Sequence, residues 1–269
     1  MAAVVAPLAG AARMAVSRQG RIWGLVAAEA ANRGGQVSAS DACAAAVAAV
    51  QVTGGWLSAA SGAEPAGHLM SVTDAVSERL AELQLMLGEG PCPDAVGYGD
   101  LVLASDLGEL EADRRWPVFV PAARRAGAAA MFAFPLRIGA IQTGVMGLYR
   151  DRAGPLSDVQ LGDALIFADT AALLLISADE AGETAAGSGP GGQPADLAGH
   201  RAEIDQATGM LTEQLGVGIT EAFIRLRAYA YAHDRALADL ARDIVARRLR
   251  LGPDPGPSED GWRDGTPHR

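Results

Sequence analysis

The chain of 269 residues carries a formal net charge of −10, with 49% hydrophobic and 20% charged residues. Its length allows two modest domains and its composition a buried core, which excludes a disordered polar chain and a lone small module. The acidic balance excludes a broadly basic nucleic-acid coat, and two cysteines, Cys43 and Cys92, without paired spacing exclude a disulfide framework and a zinc site. All 22 basic residues are Arg, so no Gly-rich phosphate loop ends on Lys. The Ala-rich start has no basic segment ahead of its apolar run, and no stretch reads as the roughly 20 apolar residues of a membrane span. A cytoplasmic protein with no membrane partner is expected.

Residues 1–20 show no clear periodicity and read as flexible; Arg21 to Asn32 read as a helix stopped by Gly34 and Gly35. Ser38 to Val52 fit a second helix, with Ser40 or Asp41 near the cap and Cys43, Val47 and Val50 on one stripe. Trp56 to Ala59 and His68 to Ser71 read as strands around a turn at Gly62 and Pro65. Thr73 and Asp74 cap a helix through Leu87, whose stripe holds Val76, Leu80 and Leu83. Gly88 to Ala95, with two Gly and two Pro, read as a loop. Leu101 to Leu103 follow as a strand, then a helix beginning over Arg114 to Phe119 and running through Arg125. Ala128 to Ile138 and Ile141 to Arg150 pair as a hairpin across Gly139. This order predicts an α+β unit with helices covering one side of a mostly antiparallel sheet.

Leu156 to Ile176 close the unit as a long helix with Leu161, Leu165, Ala168, Ala172 and Leu175 on one face, which either packs on its own sheet or pairs with a second copy. Gly182 to Pro194 read as a flexible linker. From His200 to Leu251 the apolar spacing gives three short helices, one through Ile204, Ala207, Leu211 and Leu215, one after a Thr220 cap, and one after an Asp234 cap. A small core needs close approach at Ala207, Gly209, Ala222 and Ala241. Residues 200–250 hold 8 Arg against 7 Asp plus Glu, whereas residues 1–199 hold 12 against 21. The bundle is thus the least acidic part. The tail after Gly252 is expected to be disordered.

In Arg201, Ile204, Ala207, Gly209 and Leu211, then Glu221-Ala222-Phe223 with Leu226 and Ala230, then Leu237, Leu240 and Ala241, this segment resembles the ANTAR domain, a three-helix RNA-binding module of bacterial antitermination regulators. One position departs from the family: it commonly carries Lys where this chain has Thr208, which leaves that phosphate contact weakened or supplied by another residue. Gly88-Glu89-Gly90-Pro91-Cys92 with Asp94-Ala95, the Arg114 to Phe119 stretch and the hairpin are similar to a GAF domain of actinobacterial regulators, over about Ser38 to Ile176. The expected fold is therefore α+β, a GAF-like antiparallel sheet with flanking helices followed by an all-α three-helix ANTAR-like bundle. The expected division is an extension over 1–37, the GAF-like sensor over 38–178, a linker over 179–198, the ANTAR-like domain over 199–251 and a tail over 252–269.

These resemblances imply a signal-responsive regulator that acts by antitermination at paired hairpin loops of leader RNA, as a homodimer, with an unidentified small molecule as a possible ligand of the sensor. The alternative is a ligand-binding, dimerising signalling module whose bundle binds protein. RNA loops call for cations and flat rings, which directs attention to Arg225, Arg227, Tyr231, His233, Arg235 and Arg242. Ala207, Gly209, Ala222, Phe223, Ala230 and Ala241 carry the structural motif, and Gly90, Pro91 and Cys92 the sensor loop. His68 is the only histidine ahead of residue 200 and Cys43 lies on a core stripe, so a thiol–imidazole pair would be Cys92 with His68; no third orienting group accompanies it, and no catalytic residue, metal ligand or cofactor is assigned.

Overall fold

The computed structural model of the chain describes residues 5–61, 64–180, 195–233 and 235–252. In order these form α1 (Val5–Arg33), α2 (Ala39–Val50), β1 (Gly54–Ser61), β2 (Glu64–Val72), α3 (Ala75–Leu87), α4 (Pro91–Tyr98), β3 (Val102–Ala104), α5 (Leu110–Arg115), α6 (Phe119–Ala126), β4 (Ala130–Ile138), β5 (Ile141–Arg150), α7 (Asp158–Glu180), α8 (Ala195–Leu215), α9 (Ile219–Ala232) and α10 (Leu237–Val245). The expected linker core, the Asp234 cap and the tail beyond Gly252 lie outside the described residues.

The strands form one antiparallel sheet in the order β2-β1-β5-β4-β3. Helices cover both of its faces, where the element order alone predicts one. The strands themselves explain this. On β4 and β5, Phe132, Phe134, Met146 and Leu148 point to α1, α2 and α7, while Met131, Val145 and Tyr149 point with Trp56 to α3, α4 and α6. A strand that is apolar on both alternating sets requires two covers.

Three local differences have physical causes. From Val5 on, the segment expected to be flexible at the start belongs to one continuous helix, whose later turns seat Ile22, Val26 and Ala30 fully in the core. Gly88 to Ala95 is not all loop: Pro91 and Pro93 fall in the first turn of α4, where backbone N–H groups have no helical acceptor, so proline costs nothing there. The helix expected through Arg125 is split into α5 and α6, because Pro117 forces Trp116 out of the helical region, to φ −135°. Glu89 closes the break: its Oε2 accepts the N–H groups of Val118 at 3.0 Å and Phe119 at 3.2 Å.

Residues Asp158–Ala178 of α7 are long and apolar enough to cross a membrane, contrary to the sequence reading. Here that composition serves burial instead: Ala164, Phe167, Ala168, Ala171, Ala172 and Leu175 are buried in the core shared with α2 and the sheet. Of the two alternatives for the predicted stripe, most of it therefore packs on its own domain. Leu165 stays 39% exposed, and Leu173 beyond the stripe 50%.

Three carboxylates tie neighbouring elements together, two of them across long stretches of sequence. Asp163 on α7 accepts from Arg18 Nε and Arg21 Nη2, both at 2.6 Å, and fastens α1 to α7. Asp41 joins the Ser38 N–H (2.8 Å) to Arg33 (2.7 Å), and Asp74 caps α3 while accepting the Tyr149 hydroxyl at 3.1 Å. Burial by itself raises each of these carboxyls, but the guanidinium groups at Asp163 and Asp41, and the Ser77, Thr73 and Tyr149 donors at Asp74, outweigh it and hold all three below the usual carboxylate range. A carboxyl lowered in the folded state stabilises above its unfolded value, near 3.9, and loses that contribution as pH falls through the folded value. Asp163→Asn is therefore expected to cost about 2 kcal/mol at pH 7, a figure reduced for the solvent exposure of both arginines. The deficit should shrink toward pH 3. Urea midpoints of the two proteins across pH 3–7 check this, and a pH-independent deficit contradicts it.

Candidate nucleic-acid interface

The C-terminal bundle begins with α8, which stops where Gly216 takes φ +65° and its N–H bonds Thr212 O at 3.0 Å. α9 starts at Ile219 after a Gly218 cap, two residues earlier than a Thr220 cap would place it, and α10 follows an Ala236 cap. Ile204, Ala207, Leu211, Ala222, Phe223, Leu226, Ala230, Leu240 and Ala241 meet in the core. Gly209 is a correction to the expected motif: it is exposed, and a Cβ there would meet nothing within 4 Å. Its place on α8 is on the open side, two positions from buried Ala207.

The six candidate RNA contacts fall into separate places. Arg235 Nη2 reaches Asp243 Oδ2 at 2.5 Å, and Arg248 Nε reaches Asp243 Oδ1 at 2.8 Å, so one carboxylate gathers two guanidinium groups at the end of α10. Those guanidiniums in turn hold the Asp243 carboxyl below its ordinary range. Arg247 and Arg250, on either side of Arg248 in the sequence, are exposed. Arg242 bridges Glu203 of α8 at 3.3 Å and Asp239 at 2.8 Å. Arg225 pairs with Glu221 one turn back at 2.9 Å. His233 stacks on Tyr229, ring centroids 3.8 Å apart, with Nδ1 2.9 Å from the Tyr229 carbonyl oxygen.

Arg227 and Tyr231 lie on another flank of α9, which faces the sheet domain. Arg227 Nε donates to Met86 O at the end of α3 at 2.8 Å, and its guanidinium lies 5.7 Å from the Phe223 ring centroid. Tyr231, 54% exposed, lines a cleft of about 280 Å³ with Arg79, Leu83 and Met86 of α3 and Arg125 of α6. Arg225 sits two residues before Arg227 and so projects to nearly the opposite side of the helix. The candidates thus do not form one patch.

The family model of the ANTAR domain matches residues 198–245. The bundle is an ANTAR domain. Domains of this type belong to antitermination regulators that bind RNA. Thr208 of the ANTAR domain is buried, 4% exposed, and its hydroxyl donates to Ile204 O at 2.7 Å. That position is structural in this chain, and its side chain cannot reach a phosphate. Arg247, Arg248 and Arg250 were absent from the sequence candidates because they follow the last apolar repeat, where periodicity carries no signal. Their mark in the sequence is the Arg-rich run itself.

No curated protein matches the chain. Among solved structures, the chain is similar to the GAF domain of an Acinetobacter phosphoenolpyruvate-protein phosphotransferase, at 13% identity over 63% of this chain and 98% of that one, with a TM-score of 0.46. It is similar also to the GAF domain of the Coxiella burnetii phosphoenolpyruvate-protein phosphotransferase, at 12% identity over 61% and 98%, with the same TM-score of 0.46.

The expected sensor loop is closed. Gly90, at φ +129°, caps α4 against the Gln84 side chain, and the Cys92 N–H donates to Gln84 Oε1 at 2.8 Å. Pro91 and Cys92 are buried. Burial pushes the thiols of Cys92 and Cys43 up to about 12, which leaves neither as a thiolate near neutrality. Asp94 of the same motif accepts Arg115 Nε at 2.6 Å and Trp116 Nε1 at 3.0 Å. The motif therefore wires α4 to α5 and α6. Among the described residues, no group of three or more His, Cys, Asp or Glu side chains is placed to hold a metal ion.

Proposed function

We propose that the chain is a cytoplasmic, signal-responsive regulator that acts by transcription antitermination, its ANTAR domain binding paired hairpin loops in leader RNA. The observation that carries this reading is the coincidence of the ANTAR match with an arginine-rich end, where Arg235 and Arg248 share the Asp243 carboxylate and Arg247 and Arg250, next to Arg248 in the sequence run, are exposed. Guanidinium groups held by one carboxylate exchange it for phosphate without leaving water, and their fork suits bidentate phosphate contact. Two hairpins call for two ANTAR domains, so the acting form is a homodimer, and the outward Leu165 and Leu173 of α7 offer an apolar face for it. The sheet domain supplies the input, with a small molecule as its ligand. The reading needs no catalysis, in keeping with the buried, protonated thiols.

Binding of full-length protein to a leader RNA with two adjacent hairpins, followed by fluorescence anisotropy across a salt series, tests the proposal. Arg235→Ala plus Arg248→Ala is expected to weaken binding by more than about tenfold and to lower the salt slope by about 1.4, two phosphate contacts at about 0.7 each. Unchanged affinity would move the interface elsewhere on the bundle.

A second reading is favoured by one observation: the Arg227 flank of α9 already contacts a protein surface, that of its own sheet domain. In that reading the bundle is a protein-binding signalling module. Absence of any salt-sensitive RNA binding by a folded full-length chain selects it.

A further inference from the structure

We infer that the C-terminal turn of α3 is a masking surface, which occupies the α9 flank bearing Arg227 and Tyr231 and competes with RNA for it. This rests on the RNA reading above. Three features of the seam carry it. The Arg227 guanidinium donates to the carbonyl of Met86, one of the last-turn carbonyls that lack a helical partner and form the negative end of the helix dipole. Gly88, at φ +67°, ends α3 and leaves the guanidinium its room, since a Cβ there would collide with Arg227 Nη2.

Leu85 supplies the third. It lies on α3, within the sheet domain, yet packs with the core of the ANTAR domain and with neither core of its own. A leucine placed on a helix face that only the bundle covers marks a surface shaped for that bundle. Met86 packs against both.

A phosphate or a base cannot take Arg227 while the guanidinium is held at Met86, and Tyr231, 54% exposed, has only the side turned away from the cleft with α3 and α6 open to a base. Arg235, Arg247, Arg248 and Arg250 lie outside this seam. The docked chain therefore presents part of an RNA surface, and release of α9 completes it. Coupling of this kind is reciprocal: a signal that loosens the seam tightens RNA binding, and bound RNA loosens the seam.

The test compares full-length protein with Leu85→Asp, which alters only the sheet-domain side, on the two-hairpin RNA. The variant is expected to bind RNA about tenfold more tightly, within the ordinary range of allosteric coupling, and its α9 amides to exchange hydrogen faster. Adding Arg227→Ala should abolish the gain, because Arg227 contacts RNA once released. Leu85→Ala, a milder change that spares folding, should shift both readouts in the same direction. Faster α9 exchange with unchanged RNA affinity would overturn the masking and leave the RNA reading standing. Unchanged α9 exchange in both variants would overturn it as well. Failure of every form to bind RNA, with α9 released, would remove the RNA reading and the masking with it.

Discussion

Trp56→Ala is expected to destabilise the sheet domain by about 4 kcal/mol, near the upper end for a large-to-small core change. Trp56 is fully buried on β1, opposite Gly147 of β5. A Cβ on Gly147 would overlap the Trp56 indole, so the ring lies across β5 in the space that glycine leaves. With alanine at 56 nothing nearby can fill that space, because residue 147 has no side chain and both backbones are locked in the centre of the sheet. Gly147→Val by itself should also destabilise, through overlap with the ring. In the Trp56→Ala background the added valine occupies part of the cavity, so the double variant should be more stable than the two single costs predict. Urea unfolding of the four proteins measures the coupling. Simple additivity would mean that the indole does not sit where its overlap with residue 147 places it.

Leu226→Ala is expected to unfold the ANTAR domain in a large fraction of molecules while the sheet domain stays folded. Leu226 is fully buried midway along α9, within a core of twelve buried residues. Its truncation costs about 3 kcal/mol, and a module of this size rarely holds more than about 3 to 5 kcal/mol in reserve. Hydrogen exchange should show lost protection across α8, α9 and α10, with β1, β4 and β5 still protected, and RNA binding should disappear. Equal loss of protection in both parts would instead make the chain one cooperative unit, joined through the seam at α3.

The sheet hairpin was legible because Gly139 interrupts two long apolar runs, and its strands span Ala130–Ile138 and Ile141–Arg150. The α3 cap at Asp74 and the three-helix bundle were legible for similar reasons: each has a stop residue and a regular stripe. α4 was not, since Gly and Pro counts say loop unless one knows that both prolines occupy a first helical turn. The second layer of helices was hidden because strand burial on two faces is a tertiary property, and a run of apolar residues does not say how many covers it has.

For the candidate site, residue type was informative and placement was not. Arg225 and Arg227 are neighbours in any count of basic residues, yet two residues along a helix turn them to different surroundings, one to Glu221 and one to Met86. Gly209 fitted the expected motif by spacing and sits in open space. Arg247, Arg248 and Arg250 lie past the last repeat, and only the fold around Asp243 gathers Arg248 with Arg235.

The order of the elements along the chain has a bearing on how the protein is born. α1 is held by α7 through Arg18, Arg21 and Asp163, residues more than 140 positions apart, so the sheet domain closes only when α7 has been made. α8, α9 and α10 follow later. Domains form from the N-terminus during synthesis, and the end of α3 is therefore in place before α9 leaves the ribosome. The first surface that Arg227 meets belongs to its own chain, and a newly made copy leaves the ribosome with that arginine already engaged.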